Sequence, residues 1–114
     1  MSITRHTPGP RLSGAVVHGN TVYVAGQVSA DAPTVRGQTE HILKKIDGLL
    51  ASAGTSKSKL LSTTIYLADI RTYDEMNAAW DAWIDGANTP PRATVEARLA
   101  APKYLVEIAA IAAV

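Results

Sequence analysis

The sequence contains no cysteine, so a disulfide framework, thiol chemistry and a zinc-thiolate site are all excluded. Aromatic residues make up only 5% of the chain, and the 11 basic and 10 acidic residues leave a net charge of +1. A nearly neutral chain has no field that attracts nucleic acid or an anionic membrane surface, and few rings on which bases would stack. We therefore expect a small molecule or a protein as partner, and neither nucleic acid nor a membrane.

Long hydrophobic runs are also missing. No apolar stretch reaches the roughly 20 residues that a membrane span requires, and residues 1–6 lack the apolar centre of a signal peptide. A cytoplasmic location is the default expectation. The chain has no GxSxG, P-loop or GxGxxG motif, so serine hydrolysis, nucleotide hydrolysis and dinucleotide binding have no support.

The three histidines, His6, His18 and His41, lie far apart and show neither HxH nor HExxH spacing. Each is best interpreted as a surface or turn residue. We expect no metal site, and nothing in the sequence indicates a cofactor.

What is present is a chain of 114 residues that is 46% hydrophobic and has no internal repeat or low-complexity tract. We expect a single domain over residues 1–114. A domain of this size buries a core but gains stability from oligomerisation.

Apolar runs predict a short edge strand over residues 3–6 and a hairpin of 15–18 with 21–25, turned by Gly19-Asn20. Gly26 follows the hairpin, where a glycine permits close backbone approach but more commonly marks a bulge. Further strands are predicted over 60–68, from residue 93 onwards, and over 104–114.

Two helices are predicted between these strands. The first runs from Thr34 to Ala53, with apolar residues at three- and four-residue spacing, and ends at Gly54. The second starts at a capping box formed by Thr72 and Glu75. Its apolar stripe comprises Tyr73, Met76, Trp80, Trp83 and Ile84.

The element order predicts an α+β sheet, with a right-handed crossover joining the strands before and after the first helix as parallel neighbours. Two helices cover only one face of such a sheet. Since residues 104–114 are apolar on both faces, we expect the second face to be buried against other copies of the chain, with pockets at the seams.

Two charged residues stand out as candidates for chemistry. Glu107 is the only charge in its strand, and a buried carboxylate needs a partner. Arg92 follows two prolines, and its guanidinium matches a carboxylate bidentately. We hypothesise that both belong to one pocket. The structural alternatives are an ion pair of Arg92 with Glu96 or Asp85, and pairing of Glu107 with Arg92 or Arg98 in a subunit interface.

Asn77 and the two tryptophans of the second helix are weaker candidates. Asn77 is expected to face inward and to hydrogen-bond the sheet rather than a ligand. Trp80 and Trp83, at helical spacing, are interpreted as core residues.

Several motifs together resemble the RidA/YjgF/YER057c family of enamine and imine deaminases, and the likeness extends over nearly the whole chain. The most specific part is the C-terminal signature in residues 90–99 and 106–112. The remaining motifs are VAGQ at 24–27, the helix end at Gly54, LSTTIYLAD at 61–69 and YDEMNAAW at 73–80.

The resemblance implies a chorismate-mutase-like fold, with a six-stranded mixed sheet and two helices packed on one face. It further implies a homotrimeric barrel with inter-subunit clefts. The implied activity is hydrolysis of reactive imines and enamines, such as 2-aminoacrylate, to 2-oxo acids and ammonia without a cofactor.

By position, Arg92 matches the residue that binds the substrate carboxylate in this family, and Glu107 the residue that positions water. Thr94 matches a residue whose backbone amide contacts the carboxylate, and Gly26 lies in the pocket-lining strand. Arg11 replaces a tyrosine of the usual Gly-Pro-Tyr and adds a second candidate cation.

Ala25, Ala109 and Pro91 depart from the family pattern as well. These changes leave the arginine and glutamate in place but keep a second hypothesis open, that of a non-catalytic trimer which binds small carboxylates or acts as a regulatory or chaperone-like module. RNA cleavage, sometimes ascribed to relatives, is disfavoured by the charge and the scarcity of aromatic residues.

Overall fold

The computed structural model describes residues 1–114 as six strands and two α-helices. The strands are β1 (Ile3–Pro8), β2 (Ser13–His18), β3 (Thr21–Gln27), β4 (Leu60–Leu67), β5 (Arg92–Glu96) and β6 (Val106–Ala113). The helices are α1 (Val35–Ser52) and α2 (Tyr73–Trp83). The predicted edge strand, hairpin and helices are therefore confirmed, with bounds that differ by at most a few residues.

All six strands form one mixed sheet in the order β1-β2-β3-β6-β4-β5. Only β4 and β5 pair in parallel, while every other neighbouring pair is antiparallel. The prediction that α1 joins two parallel neighbours is wrong, because β6 lies between β3 and β4. The parallel neighbours are joined by α2 instead. β6 suits a central position because its residues are apolar on both faces.

Helix α1 begins after Thr34, whose side-chain oxygen accepts a hydrogen bond of 3.1 Å from the Gly37 amide. It ends before Gly54, which adopts the left-handed backbone conformation at φ +82°. The apolar stripe of α1 supplies much of the core, and its buried hydrophobic members are Val35, Ile42, Leu43, Ile46, Leu49 and Leu50.

The capping box predicted for α2 does not form. The Thr72 hydroxyl donates to the Asp69 carbonyl at 2.6 Å, and Glu75 Oε2 accepts from the amide of Arg36 in α1 at 3.0 Å. The reason is a short 3-10 turn, Ile70–Thr72, which precedes α2 and takes Asp69 as its own cap. Glu75 is thereby left to cap the neighbouring helix.

The two faces of β6 differ in burial. Val106, Ile108, Ala110 and Ala112 are buried on the face that carries the helices. Glu107, Ala109, Ile111 and Ala113 are half-buried on the other face, which no element of the chain covers. We call this second surface the open face. Neither helix combines the length and the hydropathy that a membrane span requires.

Candidate active site

A β-bulge brings β3 close to the side chain of Glu107. The register pairs Val24 with Ala110 and Gln27 with Ile108, so two residues of β3, Ala25 and Gly26, oppose one of β6. The interpretation of Gly26 as a bulge residue is confirmed.

A Cβ atom on Gly26 would lie 2.9 Å from Cδ and 3.2 Å from Cγ of Glu107. These distances are shorter than ordinary carbon contacts. Glycine is therefore required at position 26 for the carboxylate to lie where it does.

Glu107 lies on the open face, opposite Tyr66 of β4. Its carboxylate makes no hydrogen bond or ion pair within the chain. Half-burial makes this arrangement tolerable, because the residue remains partly accessible to solvent. The carboxylate is thus free to bind water or another molecule.

Arg92 is the first residue of β5, and its side chain reaches α2. Its Nη2 donates to the hydroxyl of Tyr73 at 3.1 Å. Its Cζ lies 5.2 Å from the ring centroid of Trp80 and 5.7 Å from that of Tyr73, within the range of cation–π attraction. The guanidinium is held by aromatic groups, and no acidic residue neutralises it.

The ion pairs considered for Arg92 do not form. Glu96 Oε1 accepts from the Ile70 amide, and Asp85 accepts from Asn88 Nδ2 at 2.9 Å and from the Ala87 amide at 3.0 Å. These contacts lower the pKa of Asp85, the bond from Asn88 being the larger cause. Both carboxylates therefore have other partners.

Arg92 and Glu107 lie on opposite faces of the sheet. Arg92 pairs with Thr63, which is buried under the helices, whereas Glu107 pairs with Tyr66 on the open face. Since paired residues share a face, a single chain does not bring the arginine and the glutamate together. A pocket that contains both requires two copies of the chain.

The other predicted site residues divide in the same way. Thr94 lies two residues from Arg92 on the helix face, where its side-chain oxygen is buried without a hydrogen bond. Arg11 is exposed in the loop between β1 and β2, at the end of the sheet where Gly26 and Glu107 lie. Arg11 contacts neither of them through a hydrogen bond.

Sequence reasoning missed the role of Gln38. This residue is only 2% exposed, and its Nε2 donates to the carbonyls of Ala32 and Lys103 at 3.0 and 2.9 Å. Its Oε1 accepts from the amide of Leu105 at 2.9 Å. Gln38 therefore fixes the segment that enters β6 and leads to Glu107. The available signal was a polar residue within the apolar stripe of α1.

The aromatic residues of α2 were interpreted only as core. Trp80 is buried, at 6% exposure, but its ring also faces Arg92. Trp83 is half-buried and donates from Nε1 to Asp47 at 2.9 Å. Asn77 is half-buried one turn after Tyr73, and its side chain makes no hydrogen bond, contrary to the expected bond with the sheet.

The histidines lie at the surface, as predicted. His18 and His41 are exposed, His6 is half-buried on the edge strand, and His41 Nδ1 is 3.8 Å from Asp31. No three side chains of the types that ligate metals converge.

A cleft of about 770 Å³ lies beside residues 96–102. It contains neither Arg92 nor Glu107. The geometry of one chain thus supplies two candidate half-sites, an arginine on one face and a glutamate on the other.

Comparison with known proteins identifies the fold. The model of the family described as Endoribonuclease L-PSP matches residues 3–114. A RutC family protein of Haemophilus influenzae is 46% identical over 98% of both chains. The RutC family protein YoaB of Escherichia coli is 44% identical over the full length of both.

Solved structures agree. A YjgF family member from Neisseria meningitidis is 42% identical, with a TM-score of 0.97 over 99% of this chain and 95% of its own. A YjgF/YER057c/UK114 family member from Mycobacterium tuberculosis is 32% identical, with a TM-score of 0.92 over 99% of this chain and all of its own.

These matches define a small α+β protein of the YjgF type, with a six-stranded mixed sheet and two helices on one face. The chain belongs to the endoribonuclease L-PSP family, which includes the proteins called RutC and YjgF. The family resemblance and the fold predicted from the sequence are both confirmed.

Proposed function

We propose that this chain hydrolyses reactive imines and enamines that carry a carboxylate, of the 2-aminoacrylate type, to 2-oxo acids and ammonia. The observation that carries the proposal is the uncompensated charge of Arg92. A guanidinium without an acidic partner, held by aromatic rings, is suited to bind a carboxylate ligand bidentately.

The proposed active unit is a homotrimer in which each site combines two copies. The open face is apolar, and Tyr23 and Val95 on it remain 49% and 43% exposed in one chain. Burial of such residues favours association. Arg92 lies on the edge strand β5, and in the proposed trimer the copies meet at this edge, so that Arg92 of one chain and Glu107 of another line a cleft between subunits.

The reaction follows from the two half-sites. The enamine tautomerises to an imine, and Arg92 fixes the carboxylate so that the imine carbon lies near Glu107. Glu107 takes a proton from water as the C–O bond forms, and the π electrons of C=N move to nitrogen, which is protonated. The C–N bond then breaks, ammonia leaves and the carbonyl forms. Imine and water are thus converted to 2-oxo acid and ammonia.

The remaining predicted residues take supporting roles in this proposal. Thr94 lies beside Arg92 and offers its backbone amide to the carboxylate, while Gly26 leaves room for Glu107. Arg11 is a second cation at the Glu107 end of the sheet, and we assign it to substrate binding. No step of the reaction calls for a cofactor or a metal.

The test is release of ammonia and 2-oxo acid from freshly generated imines. The native protein should accelerate both, whereas Arg92→Ala and Glu107→Gln should lose at least about tenfold in kcat/KM. Arg36→Ala is the matched control, since Arg36 is exposed on α1 and uses only its backbone amide in a contact. Sedimentation should give three times the chain mass of 12.0 kDa.

Two other results would reject imine hydrolysis as the function. An intact oligomer that accelerates no imine but binds pyruvate through Arg92 would be the carboxylate-binding module. Cleavage of RNA that is lost with the same substitutions would support the reaction after which the family is named. Salt-sensitive binding of RNA without cleavage would support neither, because it requires only nonspecific charge.

A further inference from the structure

Two aromatic residues of α2, Trp80 and Tyr73, contact Arg92, and we call them the cradle of Arg92. They differ in burial. Trp80 belongs to the core and is 6% exposed, so its ring presents a fixed surface to the guanidinium. Tyr73 lies two turns earlier in α2, is 41% exposed, and accepts a hydrogen bond from Arg92 Nη2 at 3.1 Å. The centroid of the Trp80 ring lies 5.2 Å from Cζ of Arg92, and the Tyr73 hydroxyl holds one of its terminal nitrogens.

This matters because a free arginine side chain has many rotamers, and a ligand that binds it must restrict them. A guanidinium already held by Trp80 and Tyr73 loses less freedom when a carboxylate arrives. The bond to Tyr73 occupies only one of the five N–H donors, and the others stay available for a bidentate contact.

We propose that Tyr73 and Trp80 are positioning residues for Arg92, and that they determine the preference of the site for imines with a free carboxylate over neutral imines. The inference rests on the proposed function, in that it takes a carboxylate as the group that Arg92 binds. The inference goes beyond the proposed function because it assigns the strength of carboxylate binding to residues that need not touch the substrate.

The decisive variant is Tyr73→Phe, which removes one hydroxyl and keeps the ring. We expect KM for 2-iminopropanoate and Kd for pyruvate to rise about three- to tenfold, with kcat within about twofold. Hydrolysis of 2-iminopropanamide, which lacks the carboxylate, should be unchanged. Tyr104→Phe is the matched control, because the Tyr104 hydroxyl makes no hydrogen bond in the chain.

A double-mutant cycle separates positioning from a general structural effect. If Tyr73 acts through Arg92, then Tyr73→Phe should add little to the effect of Arg92→Lys, because a lysine cannot use the same geometry. An equal loss in the native and Arg92→Lys backgrounds would overturn the proposal. So would an equal loss for the neutral and the carboxylate-bearing imines.

Trp80 is tested by Trp80→Phe, which keeps an aromatic ring in the core, with the NMR signal of the Arg92 Nε–H group as readout. The indole ring current should shift this signal in the native protein, and the shift should shrink in the variant. A signal at the position of a free arginine in the native protein would overturn the cradle, whether or not the variant folds.

The outcomes for the reaction and for the positioning are distinguishable. One outcome is that Tyr73→Phe weakens pyruvate binding in the native background and has no further effect in the Arg92→Lys background. This result supports positioning even if no imine is hydrolysed. Normal pyruvate binding in Tyr73→Phe, together with its loss in Arg92→Lys, overturns positioning while carboxylate binding stands. A native protein that binds no pyruvate and hydrolyses no imine overturns both.

Discussion

The side chain of Glu107 lies over Gly26, in space that the Cβ of any other residue would occupy. The bulge in β3 lies opposite the start of β6 and creates this contact. Two segments more than eighty residues apart in the sequence thus determine where one carboxylate points.

Substitution Gly26→Ala should displace that carboxylate. The new Cβ conflicts with Glu107 Cδ and Cγ, so we expect kcat for imine hydrolysis to fall at least about tenfold. Stability should change little, because residue 26 is exposed and its backbone conformation is open to alanine. Ammonia release and thermal unfolding measure the two effects, and full activity in the variant would contradict the assigned position of Glu107.

Gly48→Ala is the control for that experiment and a prediction in its own right. Gly48 lies in α1, and a Cβ there would meet no atom within 4 Å. Alanine is favoured over glycine inside a helix by about 1 kcal/mol, so the variant should be more stable by that amount. Its imine hydrolysis should equal that of the native protein.

Gln38→Leu should be strongly destabilising. The substitution leaves the carbonyls of Ala32 and Lys103 and the amide of Leu105 without their partner. Unpaired groups of this kind cost about 1–3 kcal/mol each when buried, and partial solvation here should give about 3 kcal/mol in total. Urea unfolding measures it. Gln27→Leu, which loses one local bond to the Ala25 carbonyl, should cost less than half as much.

Thr63→Val should be stabilising. Thr63 is 2% exposed and its hydroxyl has no hydrogen-bond partner. Valine removes this buried polar group, so the free energy of unfolding should rise by about 1 kcal/mol or more. Thr39→Val is the comparison, since that equally buried hydroxyl donates to the Val35 carbonyl at 2.7 Å. Its loss should cost about 1 kcal/mol. In urea unfolding, the two substitutions should change the free energy of unfolding in opposite directions. A change in the same direction would refute the conclusion that the Thr63 hydroxyl is unpaired.

Asp69 should make stability depend on pH. Hydrogen bonds from the Arg71 side chain, and secondarily from its backbone amide, lower the pKa of Asp69. A lowered folded-state pKa stabilises above the unfolded value of about 3.9, and the contribution is lost as pH falls through the folded pKa. The destabilisation by Asp69→Asn should therefore be present at about pH 6 and shrink as the pH falls below about 3.9. Asp81→Asn, which removes no hydrogen bond, is the control.

Periodicity in the sequence predicted most of the elements, because the apolar stripe of α1 and the alternation in β6 are local properties of the chain. The position of β6 between β3 and β4 was not predictable in this way, since strand order depends on which distant segments pair. For the same reason the faces of Arg92 and Glu107 could not be related. Alternation assigns faces within one strand, but only register relates two strands.

The candidate site shows the same limit. The prolines before Arg92 and the lone charge of Glu107 made both residues visible in the sequence. The contacts of Tyr73 and Trp80 with Arg92 were hidden, because helical spacing describes a core stripe equally well. Glu75 was assigned to its own helix, since a capping box is a local pattern and the competing partner, the Arg36 amide, is remote.

The bond between Glu75 and the Arg36 amide also bears on biosynthesis. The carboxylate that completes the start of α1 is encoded 39 residues after the amide that it accepts from. During translation, the first turn of α1 is synthesised before Glu75, so its Arg36 amide has no carboxylate to donate to at that stage. The N-terminus of α1 is therefore fully capped only after α2 has been synthesised and has packed against it.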